Sequence, residues 1–193
     1  MQTLIATLLT FLLGAIPFSP LIGRYILNQD IRTYGDKNPG ATNVYRAGGL
    51  PWYIIALSLD ITKGALPLGL AYHIFHWHDP RIIPLALAPS LGHAFSPFLN
   101  FQGGKAIAAT FGVWIGLTIW TIPLISLVSL VILTLLITPS GWALLGTLTI
   151  MFISLTTFLY DPILLTILTL QTILLIYTHR ADLKQRPHLR HHK

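Results

Sequence analysis

The sequence predicts an all-α integral membrane protein of about seven transmembrane helices, with the N-terminus outside and the C-terminus cytoplasmic. Three observations carry this. Of 193 residues, 53% are hydrophobic and only 9% charged, whereas an ordinary soluble domain has roughly a quarter charged. Mean hydropathy is +0.68. The apolar residues fall into seven runs, and folding these back and forth across a bilayer puts all but one of the 12 Lys+Arg on the same side.

A helix needs about 20 apolar residues to cross a bilayer, with a range of roughly 17–25. The first run, Leu4–Leu27, has no basic stretch before it and reads as a retained span rather than a cleaved leader. Trp52–Phe75 is the second, ending at the His78-Asp79-Pro80 break. Ile82–Phe98 is the third, closed by Gln102-Gly103-Gly104. Ala106–Trp120 and Ile122–Ile137 are short enough to sit tilted or only partly embedded. Trp142–Leu159 follows Pro139-Ser140-Gly141, and Ile163–Tyr177, also short, follows Asp161-Pro162. An odd number of spans places the termini on opposite sides. With the C-terminus inside, Arg24, Arg32, Lys37, Arg46, Lys63, Lys105, Arg180, Lys184, Arg186, Arg190 and Lys193 are cytoplasmic and Arg81 alone is external.

The organisation is one polytopic domain, 1–193, with a polar motif loop over 28–49 and a basic tail over 178–193 on the same face. The net charge of +6 with pI near 9.8 comes from bases set between apolar runs. That pattern fits a bilayer and anionic ligands, not nucleic acid. With Cys 0, disulfides, thiol catalysis and Cys-ligated metals are excluded. His73, His76 and His78 form a His-x-x-His-x-His cluster at an outer helix end without Cys or Glu. This reads as interfacial solvation, so no metal and no cofactor are expected. His188, His191 and His192 belong to the basic tail, which would attract anionic headgroups.

Two segments have the makings of anion sites. In Asp36-Lys37-Asn38-Pro39-Gly40-Ala41-Thr42-Asn43-Val44-Tyr45-Arg46, Pro39 suits a first helical position and Gly40 permits close backbone approach. Thr42 and Asn43 add side-chain hydrogen bonds, successive N–H groups form a nest, and Arg46 offers a bidentate grip. In Phe101-Gln102-Gly103-Gly104-Lys105-Ala106, two glycines precede a lysine at a helix start. The spacing is not that of a Walker A loop, since position 99 is Leu. Backbone N–H groups and the Lys105 ammonium are nevertheless suited to phosphate, the alternative being an interfacial turn with a snorkelling lysine.

Asp60 and Lys63 lie at i, i+3 inside a span and compensate each other, either as a structural pair or as part of a site lining. His93 is either a core histidine or a polar group beneath the Gly103-Gly104 turn. The chain has neither a Gly-x-Ser-x-Gly elbow nor a His-x-x-x-x-Asp pair. Chemistry here would therefore rest on positioning and electrostatics.

These motifs resemble the bacterial acyl-phosphate-dependent glycerol-3-phosphate acyltransferases (PlsY-type). The likeness runs through Gly14-Ala15-Ile16-Pro17-Phe18, Asp30-Ile31-Arg32, Asn38-Pro39-Gly40-Ala41-Thr42-Asn43-Val44, Leu59-Asp60 with Lys63-Gly64, Leu91-Gly92-His93, Phe101 with Gly103-Gly104-Lys105, and Tyr177 with His179-Arg180. It implies a seven-helix enzyme of the bacterial inner membrane. Such an enzyme moves an acyl group from acyl phosphate to the 1-hydroxyl of glycerol 3-phosphate, giving lysophosphatidic acid and phosphate. By resemblance, Lys105, His179 and Asn43 are the catalytic candidates. Asp36, Asn38, Gly40, Ala41, Thr42, Arg46, Gly103 and Gly104 are the phosphate and substrate contacts.

Departures fall inside the motifs. Asp36-Lys37 stands where the family has Ser-Gly, Ala106 where it has Gly, and Ala181-Asp182 where it has Glu-Asn. A carboxylate at Asp36 repels a phosphate unless Lys37 or Arg46 neutralises it. These departures motivate an alternative: a divergent member with an altered acceptor or lost catalysis that binds lipid precursors or a partner.

Overall fold

The computed structural model describes residues 1–190; His191, His192 and Lys193 of the predicted tail lie outside the described residues. The chain divides into two compact units, residues 1–117 and the remainder from Thr118.

The first unit opens with α1 (Gln2–Ala15) and α2 (Phe18–Tyr25). The sequence predicts one helix here, and the structure has two. Pro17 lacks an N–H and pushes Ile16 into an extended conformation, φ −58° and ψ 120°, which ends α1. Together Gln2–Tyr25 remain long and apolar enough to cross a membrane. Beyond α2, Asp30 caps a 3-10 turn over Ile31–Thr33 by accepting the Arg32 N–H at 3.0 Å. Part of the predicted 28–49 loop is helical, as α3 (Ala41–Gly48). Its buried apolar residues, Ala41 and Val44, pack with Ile22, Ile31 and Ala56, and this packing outweighs the poor helix propensity of Thr and Asn.

Helix α4 (Leu50–Gly69) runs into a π-helical turn, Leu70–Ile74, three residues after Pro67. A proline inside a helix removes one i→i−4 bond, and such sites relax into local π geometry. Helix α5 (Ile82–Ala94) packs on α1. Their backbones touch at glycines: a Cβ on Gly14 would stand 2.6 Å from Pro89 Cα, and one on Gly92 would stand 2.8 Å from Ala15 N. Close helix approach through small residues is how apolar helices associate without a hydrophobic drive. A 3-10 turn, Pro97–Leu99, leads to α6 (Ile107–Thr118). Ser90 and Thr110 join α5 to α6 by a buried hydroxyl pair at 2.9 Å.

The second unit contains α7 (Thr121–Leu136), α8 (Ser140–Phe158), α9 (Pro162–Thr178) and the short α10 (Arg180–Leu183). Asp161 caps α9, accepting from Ile163 N at 2.7 Å and Leu164 N at 3.2 Å, with Pro162 at the first position. Serine and threonine hydroxyls within these helices bond carbonyls three or four residues back, as Thr134 does to Leu130 O at 2.6 Å. No apolar neighbour could satisfy them. Leu124, Leu127, Val128, Val131 and Leu135 form an exposed apolar stripe on α7, a surface suited to lipid. Part of the predicted basic tail is paired within this unit. His188–Leu189 pairs antiparallel with Ile137–Thr138 as a two-residue ladder, and Trp142 Nε1–H donates to Gln185 O at 2.8 Å.

All seven predicted runs are helical. Among the described residues, four helices are long and apolar enough to cross a membrane, Gln2–Tyr25, Leu50–Ile74, Ile82–Leu99 and Ser140–Phe158. Ile107–Thr118, Thr121–Leu136 and Pro162–Thr178 are shorter apolar helices.

Candidate functional site

The first unit assembles one polar cluster from residues far apart in sequence. The Tyr34–Gly40 segment turns back on α3 at Gly35, whose φ of +51° suits glycine. A side chain there would collide with the Arg46 guanidinium and stand 2.9 Å from Asn43 Oδ1. The motif reading overlooked Gly35, although a glycine immediately before the motif was its visible signal. Asn43, the buried centre of the cluster, donates from Nδ2 to Asn38 O at 2.8 Å and to Asp36 Oδ1 at 3.2 Å. Its Oδ1 accepts from Arg46 Nη1 at 2.6 Å. Asn43 thus uses its full amide to lock the loop onto the helix.

Asp36 is where the cations converge. Its Oδ2 is 3.1 Å from Lys105 Nζ and its Oδ1 is 3.8 Å from Arg46 Nη1. Its Oδ1 also accepts the Asn38 N–H at 3.2 Å. Partial burial would raise the Asp36 carboxyl, but the Lys105 ammonium, helped by Asn38 and Asn43, holds it below the ordinary carboxylate range. It is therefore an anion at neutral pH. Of the two neutralising partners expected, Lys37 or Arg46, Arg46 takes part; the second cation is Lys105, 69 positions away in sequence. Lys37 itself sits at φ +61° and is exposed.

Other expectations also shift. Pro39 is not the first residue of α3; Gly40 is the N-cap, in an extended conformation, and the helix starts at Ala41. Thr42 is exposed on the first turn. Gly103 and Gly104 do not offer their N–H groups to a ligand. Gly103 N–H donates to Ala94 O and Gly104 N–H to His93 O, both at 3.0 Å. A Cβ on Gly104 would strike the His93 ring, so these glycines clamp the turn against the end of α5 and aim Lys105. Ala106, which follows, has φ +64°. Lys37 and Ala106 are both positions where the resembled family carries glycine. A non-glycine residue in this region costs on the order of 1–2 kcal/mol.

Within the first unit, Asp60 and Lys63 form a buried ion pair at 2.6 Å, with side-chain exposures of 2% and 1%. Ser19 Oγ–H donates to Asp60 Oδ2 at 3.4 Å, and Lys63 Nζ lies 5.0 Å from the Phe18 ring centre. His93 Nδ1 is 3.7 Å from Asp60 Oδ1. The pair ties α2, α4 and α5 together. With Pro39, His93 and Gly104 it lines a cavity of about 10 Å³.

His179 belongs to the second unit, at the end of α9, and is 1% exposed. Its Nδ1 lies 2.9 Å from Leu175 O. A carbonyl can only accept, so Nδ1 carries the proton in the neutral ring. Among the described residues, no group of three or more His, Asp, Glu or Cys is arranged to hold a metal ion. His73, His76 and His78 instead make ring contacts, His76 to His78 at 5.9 Å and Tyr72 to His78 at 4.4 Å.

Comparison with known proteins converges on one family. The family model for glycerol-3-phosphate acyltransferases matches residues 4–187. A glycerol-3-phosphate acyltransferase of Maridesulfovibrio salexigens is 38% identical over 180 residues, covering 91% of this chain and 88% of that protein. One from Macrococcus caseolyticus is 36% identical over 187 residues, covering 96% and 93%. Among solved structures, the glycerol 3-phosphate form of PlsY, an integral membrane glycerol 3-phosphate acyltransferase, superposes with a TM-score of 0.86 at 28% identity. It covers 95% of this chain and 91% of that one. The lysophosphatidic acid form of PlsY gives 0.84 at 27% identity.

Proposed function

The chain belongs to the glycerol-3-phosphate acyltransferase family, and from that premise we propose that it is a multi-pass membrane acyltransferase of phospholipid biosynthesis. It moves a fatty acyl group from acyl phosphate to the 1-hydroxyl of glycerol 3-phosphate, giving lysophosphatidic acid and phosphate in the bacterial inner membrane. One observation carries the reading: Lys105, Arg46, the Asn43 amide and the Asn38 N–H converge on a single anion position. Both substrates of this reaction carry phosphate.

The hydroxyl oxygen attacks the acyl carbonyl carbon, the bond from that carbon to the phosphate oxygen breaks, and the hydroxyl proton passes to the departing phosphate. Lys105 and Arg46 balance the phosphate charge, and Asn43 fixes Arg46 for that task. The start of α3, at Gly40, Ala41 and Thr42, adds the favourable end of a helix dipole. Gly103 and Gly104 act by fixing the turn that presents Lys105. His179, a catalytic candidate by its His-Arg motif, has its ring orientation set by the Leu175 carbonyl.

Purified protein given acyl phosphate and labelled glycerol 3-phosphate should form labelled lysophosphatidic acid. Acyl-CoA should be a far poorer donor, because no His-x-x-x-x-Asp pair is present to activate the hydroxyl. No product from acyl phosphate would refute the reading, and equal rates with acyl-CoA would refute the donor assignment.

We also assign seven crossings with the N-terminus outside, on the strength of the Lys and Arg distribution. A cysteine introduced at His78 should react with an impermeant reagent in intact cells, and one at Lys37 should stay unlabelled. The reverse pattern would overturn the orientation.

A further inference from the structure

The carboxylate of Asp36 occupies the point where the donors of this cluster converge. It draws on Lys105 Nζ at 3.1 Å, Arg46 Nη1 at 3.8 Å, and the Asn38 N–H and Asn43 Nδ2–H, each at 3.2 Å. These are two cations and two neutral donors, a set suited to an oxyanion. A dianion entering this cluster meets a fixed negative charge within contact distance, so the two anions cannot share it. Asp36 is not trapped there. Its side chain is 45% exposed, and a change of rotamer carries the carboxylate into solvent.

We propose that Asp36 is a built-in competitor of the phosphate ligand: it holds Lys105 and Arg46 in the unliganded protein and is displaced when a phosphate binds. The exchange keeps both cations neutralised and in place throughout. It also weakens every anion that uses these donors, the released phosphate included, so the site sheds product more readily than one with a neutral residue at this position. The family's serine there would leave the cations open to anions in solution. This inference rests on reading the cluster as a phosphate site and is independent of whether acyl transfer occurs.

The probe is inorganic phosphate, titrated calorimetrically into the full chain in detergent, so no turnover is needed. Asp36→Asn keeps an acceptor for Asn38 and Asn43 and removes only the charge; Asp36→Ser removes the charge and sets the accepting oxygen on a shorter side chain. Each should tighten phosphate by roughly ten- to a hundredfold, the equivalent of one charge-assisted hydrogen bond no longer surrendered on binding. Unchanged or weaker binding in the Asp36→Asn protein would overturn the proposal and make Asp36 a scaffold for the loop. Lys37→Gly should leave phosphate affinity unchanged; a loss as large as that of Lys105→Ala would move the compensation to Lys37 and refute the assignment. A measurement on the unaltered chain stands apart from folding of any variant. Saturating phosphate should accelerate carbodiimide coupling of an amine to Asp36, read by peptide mass spectrometry. Protection of Asp36 by phosphate would mean the carboxylate stays in the cluster, and the displacement would be wrong. Failure of acyl transfer with phosphate binding still tightened would count against the enzyme assignment and not against this one.

Discussion

Replacing Lys105 by Ala, or Arg46 by Ala, should lower kcat/KM for acyl transfer by roughly ten- to a hundredfold, the worth of a charge-assisted hydrogen bond of about 1.5–3 kcal/mol. The Arg46 effect should reach the upper end because that side chain has two tasks. Its Nη1 holds Asn43 Oδ1 at 2.6 Å while facing Asp36 at 3.8 Å, so its loss frees the amide that locks the loop. Arg46→Lys retains the charge without the planar fork and should recover little. Steady-state kinetics with each substrate varied in turn provides the check. Variants with unchanged kcat/KM for both substrates would remove the two cations from the site.

The second large effect is on stability. Asp60 and Lys63 sit 2.6 Å apart with almost no exposure. Removing one partner leaves the other charge buried and uncompensated, at a cost of about 3–5 kcal/mol. Asp60→Ala and Lys63→Ala should each unfold in detergent at markedly lower temperature or denaturant concentration. The pair Asp60→Asn with Lys63→Met, which removes both charges at similar volume, should recover much of the loss. Single variants within about 1 kcal/mol of the parent would show that the pair is solvated or dispensable. Whether Asp60 and Lys63 are structural or line the site was open from spacing alone. Their contacts with Ser19, Phe18 and His93 make them a clasp between helices, lining one cavity with Pro39 and Gly104.

Both predictions concern charges, and charges separate what is legible in a sequence from what is not. Arg46 and Asn43 are three residues apart on one helix, so their partnership follows from helical periodicity. Asp60 and Lys63 are legible for the same reason. The Asp36–Lys105 pair has no local signature, because it depends on where the end of α5 delivers the Gly103-Gly104 turn. That turn is set by backbone bonds to His93 and Ala94. The glycines read naturally as a phosphate cradle, yet their N–H groups are committed to those carbonyls. Their lack of a Cβ matters for packing, not for ligand access.

Composition and local pattern mark the chain as helical and membrane-bound, locate its apolar helices, and carry the motifs of its family. Hydropathy is additive over a local run, and proline and glycine act on the residues beside them, so these properties need no knowledge of distant contacts. The split of the first run at Pro17 belongs to the same local class. The three-dimensional fold makes loop residues 41–48 a helix, since that follows from burying Ala41 and Val44 against Ile22, Ile31 and Ala56. It alone decided that the tail pairs with Ile137–Thr138, and that Lys105 rather than Lys37 joins Arg46 in neutralising Asp36. All three have one cause. A buried side chain, a ladder bond and an ion pair each take their energy from a partner, and chain topology, not sequence distance, brings that partner within reach.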